Sequence, residues 1–135
     1  MKIVRIAALM AALAAAPASA DPARDAAQSV IQSQLDAFQA ADVQTAFSFA
    51  APSIQEIFRS PDAFGRMVRR GFPMVWAPSS TEFLEAEATP SGLTQRLRII
   101  DLRGQPWIAE YQMVEVDGAW RIAAVRVLED PGFAV

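Results

Sequence analysis

The sequence predicts an α+β domain in which N-terminal helices pack on one face of a curved, cone-shaped four-stranded antiparallel sheet. Three observations support this fold. Apolar residues recur at helical spacing up to Pro73 and alternate as in strands beyond it. Capping residues followed by proline mark helix starts in the first half. In the second half, Asp117-Gly118 is a strong hairpin signal, because these residue types suit a type I′ turn.

The first 20 residues have the pattern of an export signal. Lys2 and Arg5 precede an apolar run over residues 6–16, and small residues lead to an expected cleavage between Ala20 and Asp21. The apolar run is shorter than the roughly 20 residues that span a bilayer, so an uncleaved membrane anchor is the weaker alternative. We therefore predict a periplasmic or secreted protein, with residues 21–135 forming one domain that has no membrane attachment after cleavage.

Composition excludes several classes of chemistry. The chain contains neither cysteine nor histidine, so disulfides, thiolate nucleophiles, imidazole bases and Cys- or His-based metal sites are excluded. Cleavage would remove Lys2 and Arg5 and leave ten arginines against 15 acidic residues. An acidic protein repels nucleic acid and anionic lipid at long range, so neither is an expected partner. No loop gathers carboxylates at metal-coordinating spacing, and we predict neither a metal nor a cofactor.

Helix signals divide the first half into four segments. Asp21 caps a long helix that begins at Pro22, and Asp42 caps a shorter one. Ser53 is expected to cap a single turn. Ser60 opens the last helix, which closes at Gly71. The apolar stripe of the first helix comprises Ala27, Val30, Ile31, Gln34, Leu35 and Phe38.

Four strands are predicted over residues 81–88, 93–102, 107–116 and 119–129. A two-residue turn at Asp117-Gly118 pairs Met113 with Ile122 and Tyr111 with Ala124. The inner face of the last two strands then comprises Trp107, Tyr111, Met113, Trp120, Ile122, Ala124 and Leu128.

The register of the first two strands depends on which residues would be buried. A three-residue loop before Trp107 places Leu97 beside Tyr111 and Arg98 opposite Glu110, which avoids burying arginines. The first strand then directs Leu84, Ala86 and Ala88 inward and sets Glu85 opposite Arg96 on the outer face.

Several segments resemble the bacterial domain-of-unknown-function 4864 family. They are residues 30–38, 46–50, 67–73 with the later Pro78, and 118–122. Residues 69–73 (Arg-Arg-Gly-Phe-Pro) are the most distinctive, and the resemblance covers nearly the whole of residues 26–128. It implies a fold similar to the nuclear-transport-factor-2-like (NTF2-like) or cystatin-like cone. The family brings no assigned activity and no catalytic residues.

The favoured function is non-enzymatic binding of a small apolar or amphipathic ligand, or of a protein partner, through the concave face or the outer sheet face. The residues expected to contact a ligand are Trp107, Tyr111, Met113, Trp120 and Arg126. An alternative is a cofactor-free isomerase or hydro-lyase, in which an inward Glu82 or Asp101 works with Tyr111. Both carboxylates also lie near strand ends, where a solvated ion pair with Arg126 is the ordinary outcome.

A second alternative is a purely structural homodimer. Its contact would be the outer sheet face, where Ile108, Val114, Val125 and Val127 are expected among charged residues. A pocket of at least roughly 300 Å³ on the concave face would favour a ligand over this alternative.

A cluster of arginines closes the last predicted helix. Arg66, Arg69 and Arg70 could bind a carboxylate or phosphate, since guanidinium matches both bidentately. Cations at a helix C-terminus also complement the helix dipole, and this structural interpretation is favoured.

Overall fold

The computed structural model describes residues 21–133, which form five helices and a four-stranded antiparallel sheet in the strand order β1-β2-β3-β4. The predicted fold class is therefore confirmed, while the predicted export signal lies outside the described residues. The elements are α1 (Pro22–Gln39), α2 (Val43–Ser48), α3 (Pro52–Phe58), α4 (Pro61–Gly71), α5 (Pro73–Trp76), β1 (Ser80–Thr89), β2 (Gly92–Ile100), β3 (Pro106–Val116) and β4 (Ala119–Glu129), with a 3-10 turn at Pro131–Phe133.

Local side-chain hydrogen bonds account for most of the helix starts. The Asp21 carboxylate accepts from the backbone N–H of Ala23 and Arg24, and Ser60 Oγ accepts from the Ala63 N–H at 3.1 Å. Helix α3 differs from its prediction: it begins at Pro52, so Ser53 is its second residue and its N-cap Ala51 offers no side-chain acceptor. Proline in the first turn starts this helix without a capping side chain.

Helix α1 covers the centre of the sheet. Its apolar stripe is buried, including Ile31, Leu35 and Phe38, and packs against Leu97 and Tyr111 of the inner sheet face. Burial of such a stripe is the main source of helix stability in a domain of this size. Within the described residues, none of the helices combines the length and apolar character that a membrane crossing requires.

The β3–β4 hairpin confirms the predicted turn but not the full register. Asp117 and Gly118 both have positive φ, as a type I′ turn requires, and Met113 pairs with Ile122. A β-bulge between Gln112 and Met113 then inserts one extra β4 residue, so Tyr111 lies opposite Val125 rather than Ala124.

That bulge reverses the faces of the second half of β4. Val125 and Val127 pack against the core, although they were predicted on the outer face. Leu128, predicted inside, is 39% exposed. A one-residue insertion moves the side chain of every following residue to the opposite face of the sheet, which explains both errors. The outer face therefore loses two of the four apolar side chains predicted on it, Val125 and Val127.

The β2–β3 connection is longer than predicted. Ile100 pairs with Pro106, so Leu97 lies opposite Ala109 and Gln95 lies opposite Tyr111. The shift is two residues, which preserves the inner face but moves Arg98 away from Glu110.

The β1–β2 pair contains a second bulge, between Phe83 and Ala86. Leu84, predicted inward in a regular strand, lies within this bulge, whereas Ala86 and Ala88 keep their predicted alignment with the inner-face residues of β2. Gln95 is fully buried beside it, and its amide nitrogen donates to the Leu84 carbonyl at 3.0 Å. The Gln95 amide thus provides a hydrogen bond to the Leu84 carbonyl, which the bulge removes from the regular β1–β2 pairing.

Ion pairs cross the outer face of the sheet. Arg96 pairs with Glu85, as predicted, and holds the pKa of that carboxyl below its usual range. Arg98 pairs with Glu82 at 3.1 Å and with Asp130 at 3.0 Å.

Candidate functional site

A cavity of about 340 Å³ lies between the helices and strand β4, on the concave side of the sheet. Its wall is apolar apart from one glutamine, Gln34 of α1. The remaining lining residues come from α1, α3, α4, α5, β4 and the connecting segments, and include Phe38, Ile54, Phe58, Met67, Val68 and Val125. Apolar walls with few polar groups are typical of small-molecule sites of this size.

Backbone pairing attaches the connection between α2 and α3 to the edge of β4. The Ala51 N–H donates to the Ile122 carbonyl at 2.8 Å, and the Ile122 N–H donates to the Phe49 carbonyl at 2.9 Å. These bonds place α3 next to the free edge of β4, directly after Ile122. The β4 bulge follows at once, so the strand bends where the cavity lies.

Helix α3 forms one wall and is weakly anchored. It has seven residues, and none of its side chains is fully buried. Gln55 ties it to the preceding segment, because its side-chain nitrogen donates to the carbonyls of Phe47 and Ala50, each at 3.1 Å. Ile57 is 69% exposed at the cavity margin. A short helix with few buried contacts belongs to the least stable part of a domain.

Aromatic rings form the wall opposite β4. The Phe64 ring contacts three others, with centroid distances of 5.9 Å to Phe38, 5.4 Å to Phe47 and 5.7 Å to Phe58. These separations lie in the favourable range for tilted and edge-to-face pairs. The rings support one another and leave apolar surface facing the cavity.

Gln34 is the polar side chain of the cavity and is 3% exposed. Its side-chain nitrogen donates to the carbonyl of Ala46 at 3.1 Å, which holds the amide in one orientation. The sequence analysis placed Gln34 on the buried stripe of α1 but assigned it no role.

The residues predicted to bind a ligand do not line this cavity. Met113 and Tyr111 are buried in the filled part of the core. Trp120 is half-buried against that core. Arg126 was predicted to face inward, and this orientation is wrong: its side chain is 70% exposed and pairs with Glu110 at 2.6 Å. The β4 bulge is the cause, because it shifts Arg126 to the outer face.

Tyr111 is oriented inward, as predicted, but is surrounded by core. It is completely buried, and its hydroxyl has no hydrogen-bond partner among residues 21–133. Burial raises the pKa of this hydroxyl, since the charged form would lose its hydration. A neutral, enclosed phenol of this kind does not reach the cavity wall.

The two carboxylates of the enzymatic alternative lie elsewhere. Glu82 was predicted on the concave face, and this is wrong, because its partner in β2 is Arg98 on the outer face. Asp101 belongs to the β2–β3 connection. Its carboxylate accepts from Trp107 Nε1 at 3.0 Å and from the backbone N–H of Arg103 and Gln105, each at 2.9 Å.

These bonds, led by the one from Trp107, lower the pKa of Asp101. Tyr111 lies four residues beyond Trp107 along β3, a separation of roughly 13 Å at strand spacing. The structure thus brings neither carboxylate to the phenol. Trp107 and Asp101 instead border a separate surface cleft of about 360 Å³, next to the exposed Leu102.

The arginine cluster divides between two surfaces. Arg66 and Arg69 border a cleft of about 280 Å³ together with Trp76 and Asp62, whereas Arg70 lies outside it. The Arg69 guanidinium is 5.8 Å from the centre of the Trp76 ring, at cation–π distance. Asp62 on the same wall offsets part of the positive charge that Arg66 and Arg69 bring to this cleft.

Sequence reasoning missed the helix that encloses the cavity. Ile54, Ile57 and Phe58 were assigned to a single core turn. Their spacing contains a signal, because positions i, i+3 and i+4 lie on one face of a helix. The three side chains therefore face the same apolar region, which in the structure is the cavity.

The sequence pattern of DUF4864, a domain of unknown function, matches residues 20–135. The chain belongs to this family. No curated protein matches this DUF4864 chain. Among solved structures it is similar to an NTF2-like protein of unknown function from Shewanella baltica OS155, with a TM-score of 0.53 and 11% identity over 80% of this chain and 94% of that one.

An NTF2-like protein of unknown function from Shewanella oneidensis MR-1 is comparably similar to this DUF4864 chain. The TM-score is 0.51 with 12% identity, over 77% of this chain and 97% of that one. At such identities the likeness establishes the fold, which is NTF2-like, and leaves function to be argued from the site.

Proposed function

We propose that this DUF4864 protein binds a small apolar or amphipathic ligand, without chemical conversion, in the cavity between α1, α3, α4 and β4. The observation that carries the proposal is the cavity itself: about 340 Å³ of space with an apolar wall and a single polar side chain. Its volume lies within the range of ligand sites, and apolar burial supplies the driving force for binding.

The composition of the wall supports binding rather than catalysis. None of the lining residues that the structure describes has an ionisable side chain, so these residues supply neither a general acid nor a general base. The isomerase alternative required a carboxylate beside Tyr111, and Glu82 and Asp101 are engaged elsewhere.

The position of α3 supports a route of entry. Ile57 offers exposed apolar surface at the margin, and the helix is attached mainly through Gln55. A small outward movement of α3 would widen the mouth while leaving the sheet and α1 in place.

The experiment is a titration with N-phenylnaphthylamine, an uncharged apolar dye whose fluorescence rises on burial. The test variant is Val125→Phe, which places a larger side chain in the cavity, and the matched control is Val127→Phe, another half-buried β4 valine that packs on the core but does not line the cavity. We expect Val125→Phe to weaken binding by about tenfold or more, equivalent to about 1.4 kcal/mol, with little change in the control.

Equal binding by both variants would refute the cavity as the site. Absence of binding by the wild-type protein would refute an apolar ligand of this size. Native mass spectrometry of protein purified from its own host then identifies the natural ligand by its added mass.

Export to the periplasm or the medium remains our proposal for where the protein acts. The signal-like pattern of residues 1–20 supports it, as does the family match, which begins at residue 20. N-terminal sequencing of the periplasmic fraction is expected to start at Asp21. A cytosolic protein that retains Met1 would contradict this proposal.

A further inference from the structure

We infer that the ligand of this cavity is an uncharged molecule carrying a hydroxyl or N–H group, which it donates to the side-chain oxygen of Gln34. The inference rests on the proposed function, because it specifies the chemical class of the apolar ligand. Its two parts, neutrality and a donor, come from different observations.

Neutrality follows from the charges around the site. Within residues 21–133, no arginine, aspartate or glutamate lines the cavity. Arg66 and Arg69 border the other cleft, beside Trp76. A carboxylate or ammonium transferred from water into this cavity would lose its hydration without gaining a counter-ion, and such transfers are strongly unfavourable. Fatty acids and amines are therefore poor candidates, while alcohols, phenols and amides remain.

The donor follows from the hydrogen bonds of Gln34. One of the two hydrogens on its nitrogen is already used, since the nitrogen donates to the Ala46 carbonyl at 3.1 Å. Within residues 21–133 no hydrogen bond reaches its oxygen, although the residue is 97% buried and lines the cavity. The oxygen keeps some accessible surface, because among the described residues the Tyr111 hydroxyl is the enclosed side-chain atom that lacks a partner. A ligand that fills the cavity would cover this oxygen, and covered polar atoms in proteins are normally hydrogen-bonded. A ligand that donates one hydrogen bond to the Gln34 side-chain oxygen would give this oxygen the partner that it lacks among the described residues.

The orientation of the amide gives this contact specificity. Ala46 is fully buried, and its carbonyl binds the Gln34 nitrogen, so reversing the amide would place two oxygens against each other. The site therefore presents an acceptor in a fixed position. An ether offers an acceptor oxygen like that of an alcohol but no donor, so only the alcohol can bond to the Gln34 oxygen.

Naphthalene derivatives test both parts with one ring system, which suits a wall containing Phe38, Phe58 and Phe64. Naphthol carries a hydroxyl donor and is neutral at pH 7. Its methyl ether has a similar shape without the donor. Naphthoate is an anion. We expect naphthol to bind about 2- to 10-fold more tightly than the ether, the worth of one neutral hydrogen bond. Naphthoate is expected to bind at least about 100-fold more weakly than naphthol.

A pair of variants locates the donor contact. Gln34→Met retains length and apolar volume but removes the acceptor, and is expected to bind naphthol and its ether equally. Gln28→Met is the matched control: Gln28 lies on the same helix and donates to Gln95 at 3.1 Å, away from the cavity wall. The control should keep the wild-type preference for naphthol. Thermal unfolding monitored by circular dichroism establishes that each variant is folded.

The outcomes separate the inference from the proposed function. Binding of naphthol and its ether with equal affinity to the wild-type protein would overturn the donor inference and leave the apolar site standing. Naphthoate binding as tightly as naphthol would overturn neutrality. Failure of all three compounds and of N-phenylnaphthylamine to bind would overturn the proposed function itself. Because the wild-type series needs no substitution, the test holds even if Gln34→Met does not fold.

Discussion

The two halves of the protein's interior differ in how completely they are filled. Under the middle of α1, the central strands β2 and β3 supply Leu97, Tyr111 and Gln95, all with 0% exposure. Toward β4, residues such as Ile54 and Met67 are only half-buried and face a cavity of about 340 Å³. Neighbouring parts of one apolar core thus serve different purposes: one provides stability and the other provides space.

The difference has a structural origin. The filled half lies between two central strands and an 18-residue helix, so side chains approach from both layers. The other half is covered by the seven-residue α3 and bounded by an edge strand that bulges after Ile122. A short helix against a bent edge does not bring enough side chains to close the gap. The proposed binding site therefore lies where the packing ends.

Substitutions on the two sides test this comparison most strongly. Leu97→Ala in the filled half is expected to lower the free energy of unfolding by about 2–5 kcal/mol, because it creates a new cavity. Met67→Ala at the existing cavity should cost less than about 1.5 kcal/mol, since its neighbours already face open space. Urea denaturation of both variants measures the difference. Equal losses would mean that the two halves are packed alike.

Alkaline pH offers a second test of the filled half. Burial raises the pKa of Tyr111 above its ordinary value of about 10. The folded protein then holds the proton more tightly than the unfolded chain, so stability is complete below about pH 10 and falls as the pH rises, by about 1.4 kcal/mol per pH unit. Tyr111 is the only tyrosine and Lys2 the only lysine, so few other groups titrate there.

Tyr111→Phe provides the control for that measurement. It should abolish most of the fall in stability above pH 10. Urea denaturation at several pH values measures this effect. At pH 7 the variant is expected to be more stable by about 1 kcal/mol, because it removes a buried hydroxyl that has no partner. A loss of stability instead would show that the hydroxyl is hydrogen-bonded in solution.

A local effect is expected at the β2–β3 connection. Asp101→Ala removes the acceptor for Trp107 Nε1 and for two backbone N–H groups, so the connection should loosen. We expect faster trypsin cleavage after Arg103, with ligand binding in the β4 cavity unchanged. Glu82→Ala on the outer face is the control and should leave cleavage at this site unaltered. A loss of dye binding in Asp101→Ala would connect the two regions.

The smallest effect is expected on the outer face. Glu110→Gln removes the partner of the exposed Arg126 and should cost less than about 1 kcal/mol, and the cost should shrink further in high salt. Chemical denaturation at low and high salt measures it. A cost comparable with that of Leu97→Ala would show that the outer face is covered by a partner in solution.

Local signals predicted most of the fold and little of the site. The Asp42 and Ser60 caps and the Asp117-Gly118 turn act within a few residues, so they could be identified directly from the chain. The bulge before Met113 has no comparable signature. Because it exchanges the faces of β4, the predicted roles of Arg126 and Val125 were misplaced together.

The sequence by itself determined the α+β class, the helix starts, the hairpin turn and the absence of cysteine and histidine chemistry, because each depends on residue type and short spacing. Only the tertiary structure decided which half of the interior stays unfilled. That outcome depends on two bulges, on the attachment of residues 49–51 to Ile122, and on how far a seven-residue helix can reach across an edge strand. Such long-range geometry sums over many contacts, and no single segment of the chain contains it.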